Sequence, residues 1–129
     1  MPKVHTEGQP FEIAVFHGCY DGDTCTVSLE PAIPALFGDH ITVRLAGIDT
    51  PEMKGGCQEE KDLALQAKAL TQKLMVQASK IELLDPKRDK YFRILAKVVA
   101  DGQEVSQELV KAGLARPYDG GKKMRWCPE

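Results

Sequence analysis

Residues 11 to 29, FEIAVFHGCYDGDTCTVSL, set the architecture. From Phe11 to His17 apolar and polar residues alternate, the turn Tyr20-Asp21-Gly22-Asp23 follows, and Thr24 to Leu29 again favours strand, which together predict a β-hairpin. The ten residues before it are polar and expected to be loose. After it, Pro31 and Pro34 break the pattern. His40 to Leu45 then alternates, with Ile41, Val43 and Leu45 on one face and Thr42 and Arg44 on the other, so Arg44 projects away from its apolar neighbours.

Gly47 to Gly56 reads as a loop carrying Asp49, Thr50, Pro51 and Glu52. From about Gln58 to Ser79 the chain is rich in Ala, Leu, Lys and Gln, and Leu63, Ala67, Leu70, Leu74 and Ala78 recur at helical spacing. Glu59 and Glu60 suit the positive end of that helix's dipole. Lys80 to Leu84 and Phe92 to Ala100 read as strands around a charged loop, and Asp101-Gly102 as a turn. A short helix from about Val105 to Ala112 should stop at Gly113 in a left-handed conformation. Three strands, a helix, two strands and a helix, with no repeat and no linker, give an α+β chain. Its economical form is a five-stranded, partly open barrel with appended helices.

The 129 residues, 43% hydrophobic and 28% charged, are enough for one domain with its own core and contain no long apolar run. The formal charge of -2 speaks weakly against a nucleic-acid partner. Its distribution does not: residues 1–60 hold ten acids and three bases, residues 61–129 nine acids and fourteen bases. A metal-using phosphate enzyme needs both, although a solvated surface has the same effect. Cys19, Cys25, Cys57 and Cys127 form an even set that suits two disulfides in an exported protein, periplasmic or extracellular. Cys19 and Cys25 flank the turn and can face each other across the hairpin, whereas Cys57 and Cys127 must meet through tertiary contact. Four buried thiols in a cytosolic protein are the alternative, and no leader in the sequence decides between them. Paired C-x-x-C spacing for zinc is missing.

Asp21-Gly22-Asp23 is not an EF-hand loop, because Cys25, Thr26 and Ala32 stand where that loop needs a ligand, a glycine and a glutamate. By itself it is a hairpin turn. Pairing of the hairpin with the Arg44 strand, however, brings Asp23 towards Asp49 and Glu52. Three converging carboxylates repel and raise one another's pKa, a penalty that a hard divalent cation bound through oxygen removes. Arg44 and Arg93 complement them, since a guanidinium grips two phosphate oxygens and stays charged through the crowded transition state. Dispersed surface acids and surface salt bridges are the bland alternatives.

Four segments, Tyr20 to Thr24, Val43 to Glu52, Asp89 to Arg93 and Leu109 to Ala115, together resemble the staphylococcal nuclease (thermonuclease) family. The resemblance covers nearly the whole chain from Phe11. It implies an OB-fold nuclease domain over residues 11–129 that uses Ca2+, cuts DNA and RNA with little sequence preference and leaves 3'-phosphate ends. Asp23 and Asp49 look like calcium carboxylates, Thr50 like a ligand through its backbone carbonyl, and Glu52 like the group that positions or deprotonates the attacking water. Arg44 and Arg93 match the phosphate-binding arginines, with Lys90 and Tyr91 beside the substrate's phosphate and sugar. Single-stranded DNA and RNA are the implied partners of a monomer, and no membrane is. Phe92 departs from the family's glycine, and the founding member's long C-terminal helix has no counterpart. Tyr118 is the residue of that region assigned to stack on a base or sugar. Lys122, Lys123 and Arg125 read as a solvated basic tail, with phosphate contact as the alternative, and Trp126 as packing. A noncatalytic OB-fold oligonucleotide-binding module is the competing class, and a structural interaction domain a third.

Overall fold

The computed structural model describes residues 11–30, 41–88, 93–121, 123 and 125–127. The expectations for residues 1–10, for the break at Pro31 and Pro34, and for Lys90, Tyr91, Phe92 and Lys122 lie outside these residues.

The hairpin forms and outruns its alternation. Strands β1 (Phe11–Asp21) and β2 (Thr24–Glu30) pair antiparallel around the tip Gly22-Asp23. Register irregularities between Ile13 and Val15, Phe16 and Gly18, and Cys19 and Asp21 interrupt the ladder. Each bends the strand and tightens its twist, so the period of two fades after His17 while the pairing continues. Cys19 faces Cys25 in register, and the two are joined in a disulfide.

Strand β3 (Ile41–Leu45) pairs with β2, placing Arg44 opposite Thr24. Beyond it, the short β4 (Ile48–Asp49) lies inside the expected loop. Strand β5 (Ile81–Arg88) continues where a charged loop was predicted after Leu84. Its ladder with β6 (Ile94–Ala100) steps between Leu84 and Lys87. Within the step, Asp85 takes φ +50°, a region Asp tolerates, and Pro86 needs no ladder donor. Strand β6 also runs parallel to β3, with Val43 opposite Ile94 and Leu45 opposite Ala96. This second partner closes a five-stranded mixed barrel in the order β1-β2-β3-β6-β5. The chain is thus the α+β OB barrel expected from its sequence, with two helices among the described residues.

Val27, Leu29, Val43, Leu45, Leu83, Ala96 and Val98 fill the barrel. Helix α1 (Gln58–Gln77) lies over it, but its buried positions are Ala64, Ala67, Thr71 and Met75, with Leu63, Leu70, Leu74 and Ala78 only half-buried beside them. Small residues face the barrel because the hairpin tip touches the helix: a Cβ on Gly22 would stand 2.6 Å from the Ala67 Cβ. Thr71 Oγ1 donates to the Gly22 carbonyl at 2.7 Å and fixes this contact. After β6, Asp101-Gly102 turns the chain into β7 (Gln103–Glu104), and helix α2 (Val105–Lys111) follows. Gly113 ends α2 at φ +75°. Its N–H donates to the Val110 carbonyl at 3.0 Å and that of Leu114 to the Leu109 carbonyl at 2.9 Å, a Schellman stop. Strand β8 (Arg116–Pro117) returns the chain to β4, with Arg116 opposite Asp49. No described helix is long and apolar enough to cross a membrane.

Candidate active site

The β2–β3 pairing builds the site. The Leu45 N–H donates to the Asp23 carbonyl at 2.8 Å, so the hairpin tip is tied to the strand that bears Arg44. Asp23 and Asp49, only 5% and 6% exposed, meet the same guanidinium. Arg44 Nη2 lies 3.2 Å from Asp23 Oδ2 and 3.9 Å from Asp49 Oδ1. The fork is anchored further by donation from Nη1 to the Leu45 carbonyl at 3.0 Å and from Nη2 to the Ile48 carbonyl at 3.2 Å. Arg44 therefore points off the apolar face of β3, as its alternation requires, yet it is not a surface ion pair.

Asp23, Arg44, Asp49, Thr50, Glu52 and Arg93 all line one cleft of about 280 Å³. Tyr20, Asp21 and Lys123 share its wall. Glu52 is the exposed acid of the set. Its backbone N–H donates to Glu60 Oε2 at 3.0 Å, and the Gly56 N–H donates to Glu60 Oε1 at 3.2 Å, so the first turn of α1 grips the loop that carries Glu52. Glu60 was legible as a helix-dipole residue, not as the clasp of this loop. Tyr118 is not among the residues lining the cleft. Its hydroxyl donates to the Gly121 carbonyl at 2.9 Å, and the Lys123 ammonium stands 5.6 Å from its ring.

The tail corrects one expectation and extends another. Lys123 does not belong to a solvated basic stretch: its Nζ sits 3.2 Å from Asp49 Oδ1 and 3.8 Å from Glu52 Oε1. Burial pulls its pKa down, but the hydrogen bond and charge of Asp49, with the charge of Glu52, outweigh burial and hold it above 10.5. Trp126 packs, with the Arg116 guanidinium 3.9 Å from its ring centroid, and also donates from Nε1 to Asp49 Oδ2 at 3.3 Å. The Cys57–Cys127 disulfide returns this segment to the start of α1. Asp21, beside the acids, is pushed up to about 7, first by burial and then by the hydrogen bond and charge of Asp23.

Among the described residues Cys57, Glu60 and Cys127 bring three ligand-type atoms together. Both sulfurs are spent in the disulfide, so this is no thiolate metal centre. Asp23 and Asp49 fit a hard cation better. They offer buried anionic oxygens, and Thr50 Oγ1, on a residue that lines the same cleft, is buried with no hydrogen-bond partner among the described residues. A donor set of oxygens alone suits calcium or magnesium rather than zinc or copper.

Comparison with known proteins gives this arrangement a lineage. The sequence profile described as "Staphylococcal nuclease homologue" matches residues 42–125, from β3 to the edge of the disulfide. The chain belongs to the staphylococcal nuclease homologue family. Among curated relatives of this staphylococcal nuclease homologue are the "SPbeta prophage-derived endonuclease YokF" of Bacillus subtilis (strain 168), 39% identical over 103 residues, and the "Endonuclease YncB" of the same organism, 38% identical over 103 residues. The "Probable endonuclease C19F8.04c" of Schizosaccharomyces pombe is 30% identical over 100 residues. The alignments cover 74%, 74% and 72% of this homologue but only 31%, 43% and 43% of the relatives, so the chain spans less than half the length of the proteins it matches. The matched part of the chain contains Arg44, Asp49, Thr50, Glu52 and Arg93 and leaves Asp23, which the hairpin brings to them, outside.

Proposed function

We propose that the chain is a calcium-dependent, sequence-nonspecific nuclease that hydrolyses phosphodiester bonds of DNA and RNA, breaking the bond between phosphorus and the 5'-oxygen and leaving 3'-phosphate ends. One observation carries this reading: two buried carboxylates, one at the hairpin tip and one in β4, share a guanidinium, while Glu52 and Arg93 stand on the wall of the same cleft. Relatives named as endonucleases support it.

Asp23, Asp49 and the Thr50 carbonyl would hold the calcium, which supplies positive charge against the phosphate oxygens and a fixed place for the phosphorus. The chain's own residues do the rest. Glu52, on a loop pinned by Glu60, accepts a proton from water as the water oxygen bonds to phosphorus. The phosphorus–5'-oxygen bond breaks on the opposite side, and the departing alkoxide takes a proton from solvent. Arg44 and Arg93 direct N–H donors at the oxygens that gain charge in between. Arg44 suits this because its fork is already fixed by two backbone carbonyls and costs little further ordering. Lys123 pairs with Asp49 and Glu52, and with a cation held by Asp49 its ammonium would be free for substrate phosphate. The paired cysteines support an exported protein, and the family resemblance implies a monomer acting on single strands.

A gel assay of single-stranded DNA with calcium or with a chelator tests the reading. Cleavage in calcium alone is expected. Intact substrate that is still bound, with affinity falling as salt rises, would mark a noncatalytic binding module instead.

A further inference from the structure

Trp126 is the only tryptophan of the chain. Its indole N–H donates to Asp49 Oδ2 at 3.3 Å, the oxygen that Lys123 leaves free while it holds Oδ1 at 3.2 Å. The indole is fixed in turn. The Arg116 guanidinium covers its ring at 3.9 Å and donates from Nη1 to the Arg125 carbonyl at 2.6 Å. Cys127, next in the chain, is bonded to Cys57, the residue immediately before the first turn of α1. Arg116 is also the partner of Asp49 in the β4–β8 ladder. The backbone of Asp49 and the indole that reaches its side chain therefore rest on one residue.

We propose that Trp126 is a positioning residue for Asp49: its N–H holds the carboxylate in one rotamer, the Cys57–Cys127 disulfide holds the indole at that distance, and cation affinity depends on both. The proposal rests on the reading of Asp49 as a cation ligand given above. A carboxylate with one oxygen already hydrogen-bonded has less freedom to lose when its other oxygen meets a cation. An indole achieves this without adding positive charge, so it need not leave when the cation arrives. An ammonium must. Hydrogen-bond partners of metal-binding carboxylates typically account for about 10- to 100-fold in metal affinity or activity.

Calorimetric titration of the whole chain with calcium tests it, beside thermal melting in chelator and the calcium dependence of single-stranded DNA cleavage. Trp126→Phe keeps an aromatic ring under Arg116 and removes only the donor. Calcium should bind it roughly tenfold more weakly, and half-saturating calcium for cleavage should rise by the same factor while the rate at saturating calcium falls by less. The Cys57→Ser, Cys127→Ser double variant, which leaves Cys19–Cys25 intact, should shift affinity in the same direction. Equal affinity of Trp126→Phe and the wild type overturns the positioning role and leaves the nuclease reading standing. So does a fall in melting temperature and saturating rate with unchanged affinity, the mark of mere packing. If Trp126→Phe fails to fold, the double-serine variant decides, and wild-type affinity there is fatal. A wild-type chain that binds no calcium removes the ligand reading and this proposal together.

Discussion

Charge is not what Arg93 is proposed to contribute alone. An ammonium has the same sign but lacks the planar pair of donors that spans two phosphate oxygens. Arg93→Lys is therefore expected to lose about 100-fold or more in steady-state rate on single-stranded DNA, and normal turnover by that variant would remove the fork from the mechanism. Arg44 differs in being structural as well. It compensates two buried acids, so Arg44→Ala should melt well below the wild type in chelator and recover part of the loss when calcium replaces the missing cation. A variant equally stable in both conditions would contradict that coupling. Asp21 gives a pH signature. Its folded value of about 7 lies above the 3.8 of an unperturbed carboxyl, so the folded chain favours the protonated form. The stabilisation this brings is complete below the lower value and is lost as pH rises through the higher one. With chelator present, Asp21→Asn should melt above the wild type beyond neutral pH and converge with it in acid. A gap that widens in acid would reverse the assignment.

The hairpin and α1 meet at Gly22, and the contact leaves no room for a methyl group. A Cβ there would lie 2.6 Å from Ala67 Cβ and 3.2 Å from Thr50 Cγ2. Ala67 is part of the helix and cannot swing aside, so Gly22→Ala must lift the tip, at a cost of about 1–3 kcal/mol. Because Asp23 is the next residue, calcium affinity should fall with stability. Denaturant melts with calorimetry check both, and an unperturbed variant would show that the tip moves freely. Much of this was readable in advance. Alternation in residues 41–45 placed Arg44 off the core face, and Gly22-Asp23 marked the tip. What escaped notice needed a partner to define it. Alternation disappears where β1 bulges, although its pairing continues to Asp21. Likewise β5 runs through Asp85-Pro86, which in isolation reads as a loop. The burial of α1 is turned by about one position, to Ala64, Thr71 and Met75, with Gly22 lying against Ala67.

Across the whole molecule the cysteine pairs act at different ranges. Cys19–Cys25 closes a separation of 6 residues already paired in a hairpin, whereas Cys57–Cys127 closes one of 70. Loop-closure entropy puts the longer link at about 4 kcal/mol and the shorter at about 2 kcal/mol. Replacing the long pair with serine should accordingly lower the melting temperature more than replacing the short one, and the opposite order would mean that the tail adds little to the folded state. The entry of Trp126 and Lys123 into the site is equally non-local. Trp126 and Asp49 are 77 positions apart, and no periodicity connects them. The even cysteine count hinted that distant parts meet, but not where an indole would point.

Each of the five barrel strands has a neighbour on both sides, which closes the sheet on itself. The joints are unequal. Among the described residues β1 and β5 share two register pairs, Phe11 with Leu83 and Glu12 with Glu82, whereas β1 and β2 share seven. Breathing should begin at that thin seam, at the foot of β1 and away from the acids at its far end. Amide exchange should accordingly be faster at Glu82 and Leu83 than at Val43 and Leu45 beside the acid-lined cleft, and the reverse order would place the weak joint elsewhere.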